Sequence, residues 1–314
     1  MSRLLLPPSP RLAPLIRYFH LQLEGSGLVR IPATPFPQIG VLLAGQSQAE
    51  IDGRPLGCTP RCFVSGPFSQ PIAIRLSPGT RFISALLRTG QLSRLFPLDC
   101  QRIADQSWPL EELAGRPAAD ALHDALQAAR QPWQMARILE DWLRRQAARR
   151  EEAKGGGPLL LPPDWLFADS RALAERCGLG LRQFERRFLA SYGQSLRDTR
   201  RQMRFVSMMG LLLARPDAAG QLAGLAADCG YFDQPHMARD FRALSGLTPG
   251  DFLRRSHGDR NLEMSLIQYQ DHELPLVLGE GNRDILLPPD VVSVQAGGVR
   301  HGYSGAIVDS EAMP

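Results

Sequence analysis

Two stretches of the chain, about 52 residues apart, carry long hydrogen-bonding side chains at helical spacing. Those predicted to face solvent are Arg182, Gln183 and Arg186 in the first stretch and Gln234, His236, Arg239 and Arg242 in the second. Arginine and glutamine can donate paired hydrogen bonds to base edges in the DNA major groove, which is wide enough to admit a helix. Further candidates for contacts with the phosphate backbone are Arg187, Arg197, Arg200, Arg201 and Arg204. A single such helix would more simply be a solvated surface, but the duplication favours contacts with DNA.

Residues that could support catalysis or bind a metal ion are sparse by comparison. The first 170 residues contain two histidines, His20 and His123, in different predicted elements, whereas a catalytic metal site needs several converging ligands. Cys58 and Cys62 are spaced as CxxxC without a second Cys or His pair nearby, so two ordinary thiols are the simpler interpretation. No catalytic triad, phosphate loop or dinucleotide motif is present. We therefore expect neither a metal nor another cofactor, and no enzymatic activity; a metal-dependent barrel enzyme is the main alternative.

The elements that must position the candidate residues form a repeated pair of helices. LAERCGLGLRQFERRFLASYG begins at Leu173, and LAADCGYFDQPHMARDFRALSG begins at Leu225. In each stretch a Cys-Gly pair ends a short helix, because glycine permits the tight turn that follows. Asp233 is a natural N-cap for the second helix of the second stretch. The pattern predicts two helix-turn-helix units whose apolar faces, including Phe184 and Phe188, point into a core.

The segment between the two units predicts one long helix, from Ser195 to Ala214. About 20 residues at 1.5 Å each give a helix of roughly 30 Å, close to the ~34 Å of one turn of B-DNA. Two helices held that far apart could enter successive major grooves on one face of the duplex.

The N-terminal part has a different pattern, of short apolar runs separated by Pro and Gly. The predicted strands are 16–23, 39–45, 48–53, 62–66, 71–76 and 81–88, which suggest a small antiparallel barrel or sandwich. Helices are predicted from Ala118 to about Arg130 and from Pro132 to Arg150. The second has a broad apolar stripe that includes Leu139 and Trp142, and it could form a dimer surface or pack on the barrel.

Charge is distributed unevenly along a chain whose net charge is +4. Residues 171–255 contain 14 Arg and 8 acidic residues, whereas residues 257–314 contain 3 Arg and 9 acidic residues. Concentrated positive charge favours binding to a polyanion such as DNA. The acidic tail is either a solvated extension or a segment that competes with DNA for the basic region. Strands are predicted in it at 265–269 and 290–294.

The sequence CGYFDQPHMARDFRALSGLTPGDFLRR, from Cys229 to Arg255, resembles the signature of AraC/XylS-type transcription regulators. The residues at matching places are Gly230, Tyr231, Asp233, His236, Arg239, Phe241, Gly246, Thr248, Pro249 and Phe252. Departures are Pro235 where Ser is usual, Met237 for an aromatic residue, Gly180 where Ser often caps the first recognition helix, and Thr199 for another aromatic residue. The resemblance covers about residues 160–256. Residues 1–150 look like the cupin-like sensory domain that often precedes this module.

The resemblance implies an α+β multidomain protein, with a cupin-like antiparallel β-barrel followed by an all-α domain of two helix-turn-helix units joined by a linker helix. The expected divisions are a sensory or dimerisation domain at 1–153, a Gly-rich linker at 154–162, the DNA-binding domain at 163–256 and the tail at 257–314. Double-stranded DNA is the expected partner. RNA polymerase, a small-molecule effector and a second copy of the chain are further candidates. Because no apolar run approaches the ~20 residues that span a bilayer and no signal peptide is recognisable, we expect a cytoplasmic protein.

Overall fold

The computed structural model describes residues 2–152, 157–215, 218–257 and 273–278. The strands predicted at 265–269 and 290–294, most of the acidic tail and the interior of the Gly-rich linker lie outside these ranges.

The N-terminal half is built on one antiparallel sheet of eight strands. The strands are β1 (Ser2–Leu6), β2 (Ile16–Ile31), β3 (Gln38–Ala44), β4 (Ser47–Ile51), β5 (Arg54–Cys58), β6 (Cys62–Ser65), β7 (Ile72–Leu87) and β8 (Ser107–Pro109). Runs 71–76 and 81–88, predicted as two strands, are parts of one strand. β7 continues through Pro78 and Gly79 because its pairing with β2 shifts register there, and such bulges tolerate Pro and Gly.

The sheet follows the order β1-β2-β7-β3-β6-β8, with β4 pairing to β7 and β5 pairing to β4. Its end strands, β1 and β8, do not pair with each other in the described part of the chain. The prediction of an antiparallel, cupin-like sheet is confirmed, but the prediction that it closes into a barrel is wrong. One reason is that β8 has only three residues, which pair with β6 alone.

Four helices belong to the N-terminal half: α1 (Leu92–Leu95), α2 (Glu111–Ala114), α3 (Arg116–Ala128) and α4 (Pro132–Glu152). Of these, α2, α3 and α4 contact strands of the sheet. The apolar stripe of α4 packs against α1, α3 and β7. Leu139 is 0% exposed and Trp142 4% exposed, and the Trp142 ring lies 6.4 Å from the ring of Phe96. Leu139 and Trp142 therefore pack within the chain, whereas Trp133 at the start of α4 is 51% exposed, and a dimer surface on this helix stays a prediction.

The C-terminal half is helical: α5 (Ser170–Arg176), α6 (Leu181–Tyr192), α7 (Leu196–Ala214), α8 (Leu222–Asp228), α9 (Gln234–Ser245), α10 (Pro249–His257) and α11 (Leu274–Leu278). Five phenylalanines fill its core with no exposed surface: Phe184, Phe188, Phe205, Phe241 and Phe252. The α+β class is confirmed. Within the described ranges, no helix combines the length and apolar character that crossing a membrane requires.

The two halves share a continuous apolar core. Tyr18, Ala33 and Phe36 of the N-terminal half are buried with residues of α7. The Ala33 amide donates to the carbonyl of Leu244 over 2.7 Å, and the buried Gln202 side chain donates to the carbonyl of Phe68 over 2.9 Å. The helical half is therefore fixed against the sheet by packing and hydrogen bonds, while the domain divisions given above stay a prediction.

Candidate nucleic-acid interface

The two helix-turn-helix units have the same backbone hydrogen bonds at their turns. The Cys177 amide donates to the carbonyl of Leu173 over 3.0 Å, as the Cys229 amide does to that of Leu225 over 3.1 Å. The next residues, Gly178 and Gly230, have φ angles of 66° and 74°. These left-handed conformations favour glycine, which explains why both units carry it at this position. The repeat seen in the sequence is thus a repeat of backbone geometry.

The second helix of each unit is anchored by apolar side chains on one face. In α6, Phe184 and Phe188 are fully buried, and the Phe188 ring stacks on that of Tyr192 with 3.9 Å between the centroids. In α9, Met237 and Phe241 are fully buried. Because these anchors are four residues apart, they fix the rotation of each helix about its axis.

The starts of the two helices differ. The Asp233 side chain accepts a hydrogen bond from the His236 amide over 2.6 Å, which confirms it as the N-cap of α9. Gly180 occupies the corresponding place in α6 and provides no side-chain cap. The first unit therefore lacks a side-chain cap, a difference that costs only a few tenths of a kcal/mol because glycine is itself tolerated at the N-cap.

Both anchored helices turn polar side chains to solvent. Exposed are Arg182, Gln183 and Arg186 on α6 and Gln234, Arg239 and Arg242 on α9. These six side chains thus lie on the solvent side of their helices, opposite the buried anchors, whereas His236, predicted to read the second half-site with Gln234 and Arg239, is half-buried. Whether these residues contact DNA stays a prediction.

Four of the other predicted contact residues make contacts within the protein. Arg187 donates from Nη2 to the Gly157 carbonyl over 3.1 Å, and Arg201 donates from Nε to Oδ1 of Asp240 over 2.7 Å. The Arg204 guanidinium lies over the Tyr231 ring, 5.7 Å from its centroid. His236 is half-buried, with Nε2 3.7 Å from Oδ2 of Asp240.

Arg200, a further candidate for a phosphate contact, is also engaged. It donates from Nε to the Leu166 carbonyl over 2.6 Å and holds the segment before α5 against α7. Burial lowers the pKa of its guanidinium from the ordinary value. Arg197, by contrast, is exposed.

Asp240 and Tyr231 are structurally central to the second unit. Sequence reasoning named Tyr231 only as a match to the family signature and did not single out Asp240. Asp240 is 8% exposed and joins Arg201 of α7 to His236 of α9. The Tyr231 ring contacts His236 edge-on, with 5.3 Å between the centroids. The available signal was the i, i+4 spacing of His236 and Asp240, which places both on one helix face.

A cavity of about 130 Å³ lies between the sheet and α7. Its walls include Arg17, His20 and Phe36 from the N-terminal half and Met209 and Leu213 from α7. Burial, with a smaller contribution from the positive charge of Arg3, lowers the pKa of His20 to about 3, so its imidazole is neutral near pH 7. The lining therefore combines a mainly apolar surface with a few polar groups, as is typical of small-molecule sites.

The cysteines do not converge on a metal site in the described ranges, where no group of three or more metal-ligating side chains is found. The Cys62 thiol is buried and donates to the Ala119 carbonyl over 3.5 Å, while Cys58 is exposed. Burial raises the pKa of Cys62 to about 11 and those of Cys100 and Cys229 to about 12.

Comparison with known proteins identifies the helical half. A family model described as "Helix-turn-helix domain" matches residues 173–255, which comprise both units and α7, and this domain is of the AraC type. The matched family is a DNA-binding domain and not a catalytic one. No curated protein matches the sequence.

Several solved structures show a distant likeness. ToxT from Vibrio cholerae is 10% identical, with 75% of this chain and 97% of that chain covered and a TM-score of 0.41. ToxT with a bound unsaturated fatty acid is 8% identical, with coverages of 75% and 95% and a TM-score of 0.39. The AraC-like transcriptional activator CuxR is 13% identical, with coverages of 61% and 76% and a TM-score of 0.29. At such scores, nothing about the ligand or partners of this chain follows from the likeness.

Proposed function

On the premise that residues 173–255 form an AraC-type helix-turn-helix domain, we propose that the chain is a sequence-specific DNA-binding transcription regulator. In this proposal α6 and α9 each insert into a major groove, and the two grooves are successive ones on the same face of the duplex.

The observation that carries the proposal is the pair of equally anchored helices with exposed Arg and Gln faces. The helix between the two units, α7, has 19 residues and is therefore about 28 Å long. That length is comparable to the ~34 Å repeat of B-DNA, so the spacing of the units suits two consecutive grooves.

Within this proposal the exposed side chains have distinct roles. Arg182, Gln183 and Arg186 read one half-site, and Gln234, Arg239 and Arg242 read the next. All six project into solvent from the face opposite the buried anchors of their helices. His236 lies at the start of α9 with its side chain partly exposed, which suits a contact at the edge of the groove.

Arg187, Arg201 and Arg204 are proposed to contact phosphates with the N–H groups that their internal contacts leave over. Arg201, for example, uses Nε for Asp240, and its side chain is 37% exposed. A guanidinium has five N–H donors, so it can bind a carboxylate and a phosphate together. Such dual contacts would fix the orientation of α7 on the DNA backbone.

We further propose that the N-terminal half binds a small effector in the cavity beside α7. One wall of the cavity belongs to the sheet, and the other belongs to α7, the helix that joins the two helix-turn-helix units. A ligand that changes the packing of Met209 and Leu213 would thereby bias the position of α7. A homodimer and a contact with RNA polymerase stay predictions from the family resemblance.

Selection of bound sequences from random DNA tests the proposal most broadly. The expected result is a site with two conserved blocks about one helical turn apart. Arg182→Ala should relax one block and Arg239→Ala the other, while the matched control Arg145→Ala, an exposed arginine on α4, should change neither. Recovery of unselected sequences would contradict the proposal.

A further inference from the structure

The chain returns to its N-terminal half after the helix-turn-helix domain. Glu273 lies sixteen residues beyond His257 in the sequence and precedes α11, which packs against β2. Oε2 of Glu273 accepts a hydrogen bond from Nη2 of Arg3 over 2.7 Å, and the two side chains are only 6% and 11% exposed. Breaking an ion pair this well buried is destabilising, because it removes a charge partner at a place with little access to water.

The same short segment forms part of the wall of the cavity beside α7. Val277 is 5% exposed and lines the cavity, and its carbonyl accepts a hydrogen bond from Nη2 of Arg17 over 3.2 Å. Arg3 and Arg17 line the cavity as well. The segment therefore brings one carboxylate, one carbonyl and one apolar side chain to the cationic end of a mainly apolar space.

We infer that residues Glu273–Leu278 act as an internal, displaceable plug of this cavity, and that the ligand able to displace it is an amphiphilic anion. A carboxylate or similar acid group would replace Glu273 at Arg3, and an apolar body would occupy the space next to Val277. The inference deepens the effector site proposed above and rests on it.

The plug and the two helix-turn-helix units are connected through α7. Val206, Met209 and Gly210 line the cavity together with Val277, so the wall that the plug contacts includes the middle of this helix. Displacement of the plug would change the packing of α7 between the two units. Removal of the tail and binding of the ligand should therefore act on the same element.

The tether sets the strength of the competition. Because the plug belongs to the same chain as the cavity, it competes with a free ligand as an intramolecular occupant, whose effective concentration can reach the order of millimolar. A free ligand must overcome that concentration, so weakening the plug should increase the apparent affinity of the cavity for an anionic amphiphile. The increase should depend on Arg3, which both occupants would share.

The test uses the full chain and 8-anilino-1-naphthalenesulfonate, an apolar anion that fluoresces in apolar sites. Glu273→Gln should lower the apparent Kd of the probe at least threefold, since the plug loses its charge and keeps its size. Val277→Ala, which leaves the Arg3 partner intact, should act in the same direction. Glu112→Gln, at an exposed position on α2, is the matched control and should have no effect.

A double variant, Arg3→Gln with Glu273→Gln, distinguishes probe binding in the cavity from probe binding to other apolar surface. The gain in affinity should disappear in the double variant, while far-UV circular dichroism confirms that every variant is folded. Unchanged Kd values in both single variants, or an equal gain without Arg3, would overturn the inference. Because the titration needs no DNA, failure of DNA binding by the same proteins would contradict the regulator proposal separately.

Discussion

Asp240 joins the second recognition helix to the helix between the units. Its carboxylate accepts from Nε of Arg201 and lies beside His236, and it is almost fully buried. A hydrogen bond to a charged group contributes about 1.5–3 kcal/mol. Asp240→Ala should therefore lower the free energy of unfolding by about 1–3 kcal/mol and weaken DNA binding, since α9 loses a positioning contact.

Urea denaturation measures this loss, and Asp228→Ala provides the control, because Asp228 is exposed at the end of α8. Equal free energies of unfolding for the two variants would show that the Asp240 contacts contribute nothing to stability, which would contradict this prediction.

Arg239 is the proposed reader whose role is simplest to test alone, since it is exposed on α9. Its replacement by Ala should cost about 1–3 kcal/mol of binding free energy and relax preference at one base pair. Titration against the selected site and its single-base variants measures both effects. Uniform weakening on every sequence would assign Arg239 to the phosphate backbone instead.

The thiols should differ sharply in reactivity. Burial raises the pKa values of Cys62, Cys100 and Cys229 to about 11–12, so their reactive thiolates form only well above neutral pH. Maleimide labelling of the native protein at pH 7.5 should modify the exposed Cys58 first. Mass spectrometry of the digested protein checks the order, and rapid labelling of Cys100 would contradict the burial described above.

At the scale of elements, the turn glycines set the angle between the two helices of each unit. Gly230 has a φ of 74°, so Gly230→Ala should cost about 1–2 kcal/mol of stability. Gly224→Ala, at an exposed position within α8 with free space around it, should instead stabilise by about 0.5–1 kcal/mol. Thermal unfolding of both variants measures the difference, and effects of the same sign would contradict the assigned turn geometry.

Local patterns were sufficient to predict the longer helices, but not the short helices α1, α2 and α11 or all the strands. Asp233 and the apolar spacing of Phe184 and Phe188 act within a few residues, so the cap and the buried faces could be predicted. β5 has no buried residue, and its exposed side chains give no alternation to detect. The contact of Arg201 with Asp240 joins residues 39 positions apart and depends on how α7 and α9 cross, which no local pattern encodes.

At the scale of the whole molecule, the sheet and the helical half are parts of one packed unit. The bond from Ala33 to Leu244 and the cavity wall formed by α7 link the N-terminal half to the second helix-turn-helix unit. In the proposed function, a change at the cavity would reach the DNA-binding surface through this direct packing. The family match covers residues 173–255 alone, so the proposed coupling rests on this chain's own interface.

The positive charge of residues 171–255 should make DNA binding strongly dependent on salt. Each neutralised phosphate contributes a slope of about −0.9 in a plot of log Kobs against log salt concentration. Arg187→Ala should make the slope less negative by about one unit, whereas the control Arg145→Ala should leave it unchanged. Fluorescence anisotropy of labelled DNA at salt concentrations from about 50 to about 300 mM measures these slopes. Equal slopes for Arg187→Ala and the unmodified chain would show that Arg187 does not contact a phosphate.

The central claim is that two equivalent helices read consecutive major grooves, and a hydroxyl-radical footprint combined with methylation interference on the selected site tests it most directly. The account predicts two protected stretches on one face of the duplex, with centres about 10–10.5 base pairs apart, and loss of only one stretch in Arg182→Ala or in Arg239→Ala. One protected stretch, or two on opposite faces of the duplex, would contradict it.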